Sequence, residues 1–336
     1  MQIYMTFDVE KMEFDMRKLA LEITCAVAFG LIGTNVHATE TINFGVQPAT
    51  MPIYIARAAG FLDPIEKKHD VKIEFRKFSY GAPENQALAA GELQIASAGM
   101  GPAIVAAARL PAKLLAITIL EQTAIIVPKD STVASVADLK GKRIAFPGKG
   151  SQQYPLLVKA LADAGLKVED VELFKTKGSD VPTLLANKSV DAGITWDPHV
   201  SNALAAGHSK VLIKAEKILP IKQGNYIGNG VYAREDFIVA RPELIEDIMV
   251  AIVKSIDVIL NDQEKAIDMW SDQIGFSKDV IRFALTEKIS VYNRDIVPEA
   301  STLDAYTKFL KDAEILKPED NPKFDDSFAK KAVAAQ

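Results

Sequence analysis

The strongest constraint on this chain is a repeated alternation. Short apolar runs end at glycine or proline, and each is followed by a segment of helical period that stops at another glycine. The clearest instance is Lys142–Gly165, KRIAFPGKGSQQYPLLVKALADAG. Arg143–Phe146 reads as a strand ending at Pro147-Gly148. Ser151-Gln152-Gln153-Tyr154 then opens a periodic segment, Leu156, Leu157, Ala160, Leu161 and Ala164, closed by Gly165. That order aims a helix N-terminus beyond the strand's carboxyl end. The first helical N–H groups have no partner inside the helix, and the macrodipole adds positive charge, so an anion is the natural guest. Either Ser151 caps this helix or Pro155 is its first residue, and both leave the amides and hydroxyls of Ser151–Tyr154 free. Taken alone, such a turn also occurs in α/β proteins that bind nothing. The stretch has neither P-loop spacing nor the three-glycine dinucleotide fingerprint.

The same device recurs along the chain. Ile42–Val46 reads as a strand, Gln47–Met51 as a loop, and Pro52–Ala59 as a helix with proline in its first turn and Gly60 at the left-handed stop. Val71–Phe78 alternates as a half-buried strand, Asn85–Ala90 reads as helix, and Leu93–Ala98 as a strand. Gly99-Met100-Gly101 then turns into a helix at Pro102. Leu114–Val127 is apolar except at Glu121-Gln122 and too long for one ordinary strand. Strand readings follow at Val171–Phe174, Asp191–Trp196 and Val211–Ile213, with helices from Asp180 and Pro198. After Pro242 the pattern is almost wholly helical. Ala87–Ala98 and Leu184–Trp196 echo each other as helix end, polar turn and short strand, which favours two lobes of similar plan over one sheet.

A chain of 336 residues can hold about two domains with a large core. Its formal charge of −5 and lack of any Lys/Arg run exclude a nucleic-acid partner. Met16-Arg17-Lys18, the apolar Leu19–Ile32 and the small residues Val36 and Ala38 read as a secretory signal peptide cleaved after Ala38. Met1–Asp15 is too polar to belong to it, which puts the expected translation start at Met16; a short real N-terminal helix is the alternative. Cleavage removes three basic and five acidic residues, taking the charge from −5 to −3, together with the single cysteine, Cys25. The exported protein then has no disulfide and rests on core packing.

In this order the pieces resemble the periplasmic solute-binding proteins of ABC importers, in the family that binds nitrate, taurine and aliphatic sulfonates. The residues that carry the resemblance are Pro52–Leu62 (PIYIARAAGFL), Ala87–Gly101 (ALAAGELQIASAGMG), Ser135–Phe146 (SVADLKGKRIAF), Gly150–Gly165 and Ser189–Pro198 (SVDAGITWDP). The resemblance implies a type II fold: two α/β lobes, two hinge crossings and a helical C-terminus packed back on lobe one. Lobe one is expected to span 39–121 and 229–336, and lobe two 122–228. Glu121–Val127 would be the outward crossing and about Gly228–Tyr232 the return. The implied role is to hold a small sulfonate or related anion between the lobes and deliver it to the permease. Closure of a neutral cage would be the signal. The protein is expected to be a periplasmic monomer without cofactor or metal.

The expected ligand-binding residues lie at strand ends and helix starts: Gln47, Thr50, Met51, Gly99, Met100, Gly101, Ser151, Gln152, Gln153 and Tyr154. Glu121 and Gln122 either reach the cleft or satisfy hinge backbone, with the cleft preferred. Trp196 would line the cleft against an apolar ligand body. Asp197 either accepts an ammonium group or caps the helix from Pro198. Asn225 and Tyr226 either floor the pocket or form a plain loop, and Lys149 is expected to be solvated. Two other functions compete. One is a thiamine-pyrimidine-synthase-like enzyme on the same fold, with His199 near Asp197 as the one acid–base pair; a secretory signal and a cysteine-free mature chain count against it. The other is a ligand-binding sensor module.

Overall fold

The computed structural model describes residues 39–336; the signal-peptide reading, the start at Met16 and Cys25 lie outside the described residues. Eleven strands form two sheets among the described residues. The first sheet contains β1 (Glu40–Val46), β2 (Val71–Lys77), β3 (Ile95–Gly99), β4 (Ala112–Glu121), β10 (Asn229–Arg234) and β11 (Val291–Tyr292) in the order β11-β4-β10-β3-β1-β2. The second contains β5 (Thr123–Pro128), β6 (Arg143–Phe146), β7 (Glu172–Lys175), β8 (Ala192–Trp196) and β9 (Ser209–Lys214) in the order β7-β6-β8-β5-β9.

Each sheet has a parallel block and, set into it, a strand that runs against it; the two-residue β11 at the edge of the first sheet also runs antiparallel to β4. β1 pairs parallel with β2 and β3, while β10 is antiparallel to β3. Likewise β6 pairs parallel with β7 and β8, and β5 is antiparallel to β8. The inserted strands, β10 and β5, are the two that enter from the other sheet. A chain arriving at the seam enters where the parallel strands end, and so it must run the other way. The Leu114–Val127 run therefore divides between sheets at Gln122. The return chain has already joined the first sheet at Asn229, so its crossing precedes Gly228–Tyr232, and the Gly228 N–H is anchored on the Ile119 carbonyl at 2.8 Å.

The glycine stops act as the sequence requires. Gly165 has φ +76°, and its N–H donates to Ala162 O while that of Leu166 donates to Leu161 O, the paired bonds of a Schellman end. At Gly60, φ +71°, the same pair runs from the Gly60 N–H to the Arg57 carbonyl and from the Phe61 N–H to the Ala56 carbonyl. The first helix after β2 starts earlier than its sequence suggests, at Gly81 instead of Asn85, and the next at Met100 instead of Pro102. A further helix, Ser327–Ala334, packs on Pro242–Asn261. The amphipathic Pro242–Asn261 buries Leu244, Ile248, Ile252 and Ile259 in the first-sheet core, against Pro52–Ala58. The helical C-terminus does not confine itself to that half. Lys278–Thr286 packs on His199–Ala205 of the second half, where Phe276 meets the His199 ring edge-on at 5.4 Å.

Candidate functional site

The carboxyl ends of β1, β2, β3, β6 and β8 converge on the seam between the sheets. There Gln47, Tyr80, Gly81, Gly99, Pro102, Gln122, Ser151, Gln152, Gln153 and Trp196 enclose a hollow of about 10 Å³. That is room for about one water, so the two halves are closed on each other. Gly99 of β3 lies tight against the opposite half: a Cβ there would lie 2.7 Å from Gln152 Oε1. Trp196, 4% exposed, donates its ring N–H across the seam to the Pro48 carbonyl at 3.4 Å. No charged side chain lines the hollow.

The wall is made of buried amides. Gln122 Nε2 donates to the Gly228 carbonyl at 2.7 Å, and its Oε1 is buried without a partner. Both polar atoms of Gln152 are buried and unpartnered. Gln153 Nε2 donates to Thr123 Oγ1 at 3.2 Å, and the Ser151 hydroxyl donates to the Gly148 carbonyl at 2.7 Å. An orphaned buried amide costs about 1–3 kcal/mol, so the seam is held in a form that a hydrogen-bonding guest would relieve. Gly101 faces Gln152 from the first half, with Cβ space to its Cα of 3.5 Å, and shares with Ser151 a larger groove of about 430 Å³ beside the hollow.

Other expected residues stand elsewhere. Asp197 is fully buried, but Oδ1 accepts from the Ser201 N–H and hydroxyl at 3.0 and 2.7 Å, and Oδ2 accepts from the Ser290 hydroxyl at 2.8 Å. Through the Ser201 N–H it ties down the first turn of the helix His199–Ala205, and serine donors engage both of its oxygens; burial pushes it up to about 6. Glu121 turns from the hollow and accepts from the Tyr226 N–H, satisfying hinge backbone, with burial pushing it up to about 8. Tyr226 pairs its hydroxyl with that of Tyr306 in the core, and Asn225 closes a tight turn with Lys222. The Thr50 carbonyl accepts from the Tyr292 hydroxyl and the Met51 carbonyl from Trp270 Nε1, which ties that loop to β11 and to the helix Gln263–Ile274. Met100 is buried under β10, where a Cβ on Gly230 would lie 3.1 Å from its sulfur, and Tyr154 packs on Phe146 with Lys149 over its ring.

Sequence reading missed Tyr80, Gly81 and Pro102. The first two follow the carboxyl end of β2, the same position that singled out Gln47 and Gly99, so the strand-end rule would have found them had the helix start been placed correctly. It also missed Glu84. This residue is wholly buried behind Gln47, whose Nε2 donates to Glu84 Oε2 at 2.7 Å, and burial raises its carboxyl to about 8. A glutamate in a helix gives no sign in the sequence that it will face inward.

Two α/β halves, joined by crossings that reverse one strand in each sheet and closed over a seam at the strand ends, define the periplasmic binding protein fold. The chain belongs to the NMT1/THI5-like family, whose profile matches residues 47–266. A Bacillus subtilis protein named for aliphatic sulfonates binding is 26% identical over 94% of this chain and 97% of its own length. The taurine-binding periplasmic protein of Escherichia coli is 29% identical over 66% of this chain and 67% of its own. The alkanesulfonate-binding protein SsuA of Xanthomonas axonopodis, solved with MOPS, superposes with a TM-score of 0.71 at 22% identity, covering 84% of this chain and 97% of that one. The desulfurization enzyme DSZB has the same fold, with a TM-score of 0.64 at 16% identity over 88% of this chain and 99% of that one.

Proposed function

We propose that this protein is the extracytoplasmic solute-binding component of an ABC importer, holding a small sulfonate of taurine or alkanesulfonate type, or a related anion, between its lobes. On this reading lobe one spans 39–121 and 229–336 and lobe two 122–228. The protein works as a periplasmic monomer exported by an N-terminal signal, and the permease is its membrane partner. The observation that carries the reading is the set of buried amide groups at the seam, Gln122 Oε1 and both polar atoms of Gln152, that have no partner within the chain and that a hydrogen-bonding guest would satisfy. Donors for the anionic head come from the N–H groups that open the helices Met100–Arg109 and Gln153–Asp163, both following strand ends at the hollow. Without a cation in the wall, the grip is strong only while the lobes are shut, which suits delivery.

Catalysis finds little support on the same scaffold. No histidine, cysteine or carboxylate lines the hollow, and the Ser151 hydroxyl is committed to the Gly148 carbonyl. The test is a thermal-shift screen against sulfonates, nitrate, carboxylates and pyrimidines. A guest bound only by the folded form raises Tm by mass action. Sulfonates should raise it, and Trp196→Ala should weaken that response. A shift with pyrimidines alone would overturn the ligand class.

A further inference from the structure

Two amides at the hollow, Gln47 and Gln122, have their N–H groups engaged and offer their oxygens, while Gln152 keeps both its oxygen and its N–H group free. A backbone carbonyl can only accept, so the bond from Gln122 Nε2 to Gly228 fixes that amide and leaves its carbonyl oxygen as the group Gln122 offers. Glu84 Oε2 takes the Nε2 of Gln47 and leaves Gln47 likewise offering its oxygen. The Ser151 hydroxyl and the Trp196 ring N–H are spent on the carbonyls of Gly148 and Pro48. Helix-start N–H groups can serve an anionic head, but the Gln47 and Gln122 oxygens call for a donor. Alkanesulfonates and nitrate carry acceptors only.

Building on the sulfonate-type reading above, we propose that the guest also carries an ammonium group seated between the carbonyl oxygens of Gln47 and Gln122. Glu84 is the positioning residue that selects it. Glu84 does not line the hollow; it acts by holding the Gln47 N–H group and by placing a carboxyl behind it. Its Oε1 faces Gly45, where a Cβ would come within 2.8 Å, and has no hydrogen-bond partner, although the Ser97 N–H helps the charged form. The titratable groups that feel its charge are Tyr54 and Tyr232, both held neutral by burial, and no cation faces it. With its carboxyl raised to about 8, Glu84 is mostly protonated at neutral pH, and an ammonium arriving beside Gln47 favours the ionised form. Binding an amine-bearing guest then releases a proton to the buffer, and binding its des-amino analogue does not.

The experiment is calorimetry at pH 7 in two buffers of different ionisation enthalpy, with taurine, ethanesulfonate, β-alanine and propionate, on the wild type and Glu84→Gln. Taurine should bind about tenfold or more tighter than ethanesulfonate, as expected for hydrogen bonds to a charged donor. It should release protons in the wild type only, and Glu84→Gln should erase most of the preference. A purely structural role for Glu84 would weaken both sulfonates equally, and that result overturns the inference. So does equal wild-type affinity for taurine and ethanesulfonate, which leaves the sulfonate reading intact. Tight β-alanine with no taurine binding keeps the ammonium seat and removes the sulfonate. If none of the four binds, both fall. Should Glu84→Gln not fold, the wild-type affinity ratio and proton release decide alone.

Discussion

At the scale of single residues, the seam is governed by buried carboxyls and by glycines with no room for a methyl. Glu84 and Glu121 both stand near 8 against an ordinary 4.5, so between about pH 6.5 and 8 the folded chain holds protons that the unfolded chain has lost. Stability should therefore fall as pH rises through that window, at up to about 1.4 kcal/mol per pH unit for each group, and level off above it. Asp197, raised to about 6, and His199, lowered to about 4 by burial, act below this range. Thermal melts at pH 6.5 and 8.5 check the sign, and the pair Glu84→Gln and Glu121→Gln should flatten the slope. Gly81 makes a different case. A Cβ there would lie 2.2 Å from the rigid ring of Pro102, so Gly81→Ala should cost about 1–3 kcal/mol in chemical denaturation.

Elements follow rules of pattern, and most were legible. The apolar run Arg143–Phe146, the helix after it and the stop at Gly165 stand where their residues put them, because period and punctuation are local properties. Gly165 has open space around a Cβ, so Gly165→Ala would be penalised for its φ alone, by about 1 kcal/mol, with the denaturation midpoint lowered and the m-value unchanged. What misled was composition near element ends. Gly81-Ala82-Pro83 reads as a loop, yet Pro83 is tolerated in the first turn of Gly81–Ala89, where its missing N–H costs nothing. That displacement hid Tyr80 and Gly81 from the site.

For the molecule as a whole, closure is the functional variable. Gly150 of the second half faces Ala82 of the first so closely that a Cβ would lie 2.6 Å from the Ala82 methyl. Gly150→Val should prop the seam open. One apolar cluster spans both sheets, holding Leu114 and Ile117 of the first with Ile125 and Ile144 of the second, so the expected outcome is lower ligand affinity and a larger radius of gyration by small-angle scattering, with only a small drop in thermal stability of the ligand-free protein. A large drop in Tm without ligand would mean the seam carries stability as well as function.

The sequence by itself determined the alternating α/β plan, the division of Leu114–Val127 at Glu121-Gln122 and the strand-end loops where Gln47, Gly99 and Ser151–Gln153 lie. Local period, glycine stops and helix starts are written in neighbouring residues. Only the tertiary structure decided which polar groups are free. Asp197 and Glu121 look as available in the sequence as Gln122 does. Ser201, Ser290 and the Tyr226 N–H, distant or on another element, engage the two carboxylates, while the amide oxygen of Gln122 has no partner within the chain. Hydrogen-bond saturation depends on partners brought together by folding, and no local pattern encodes it.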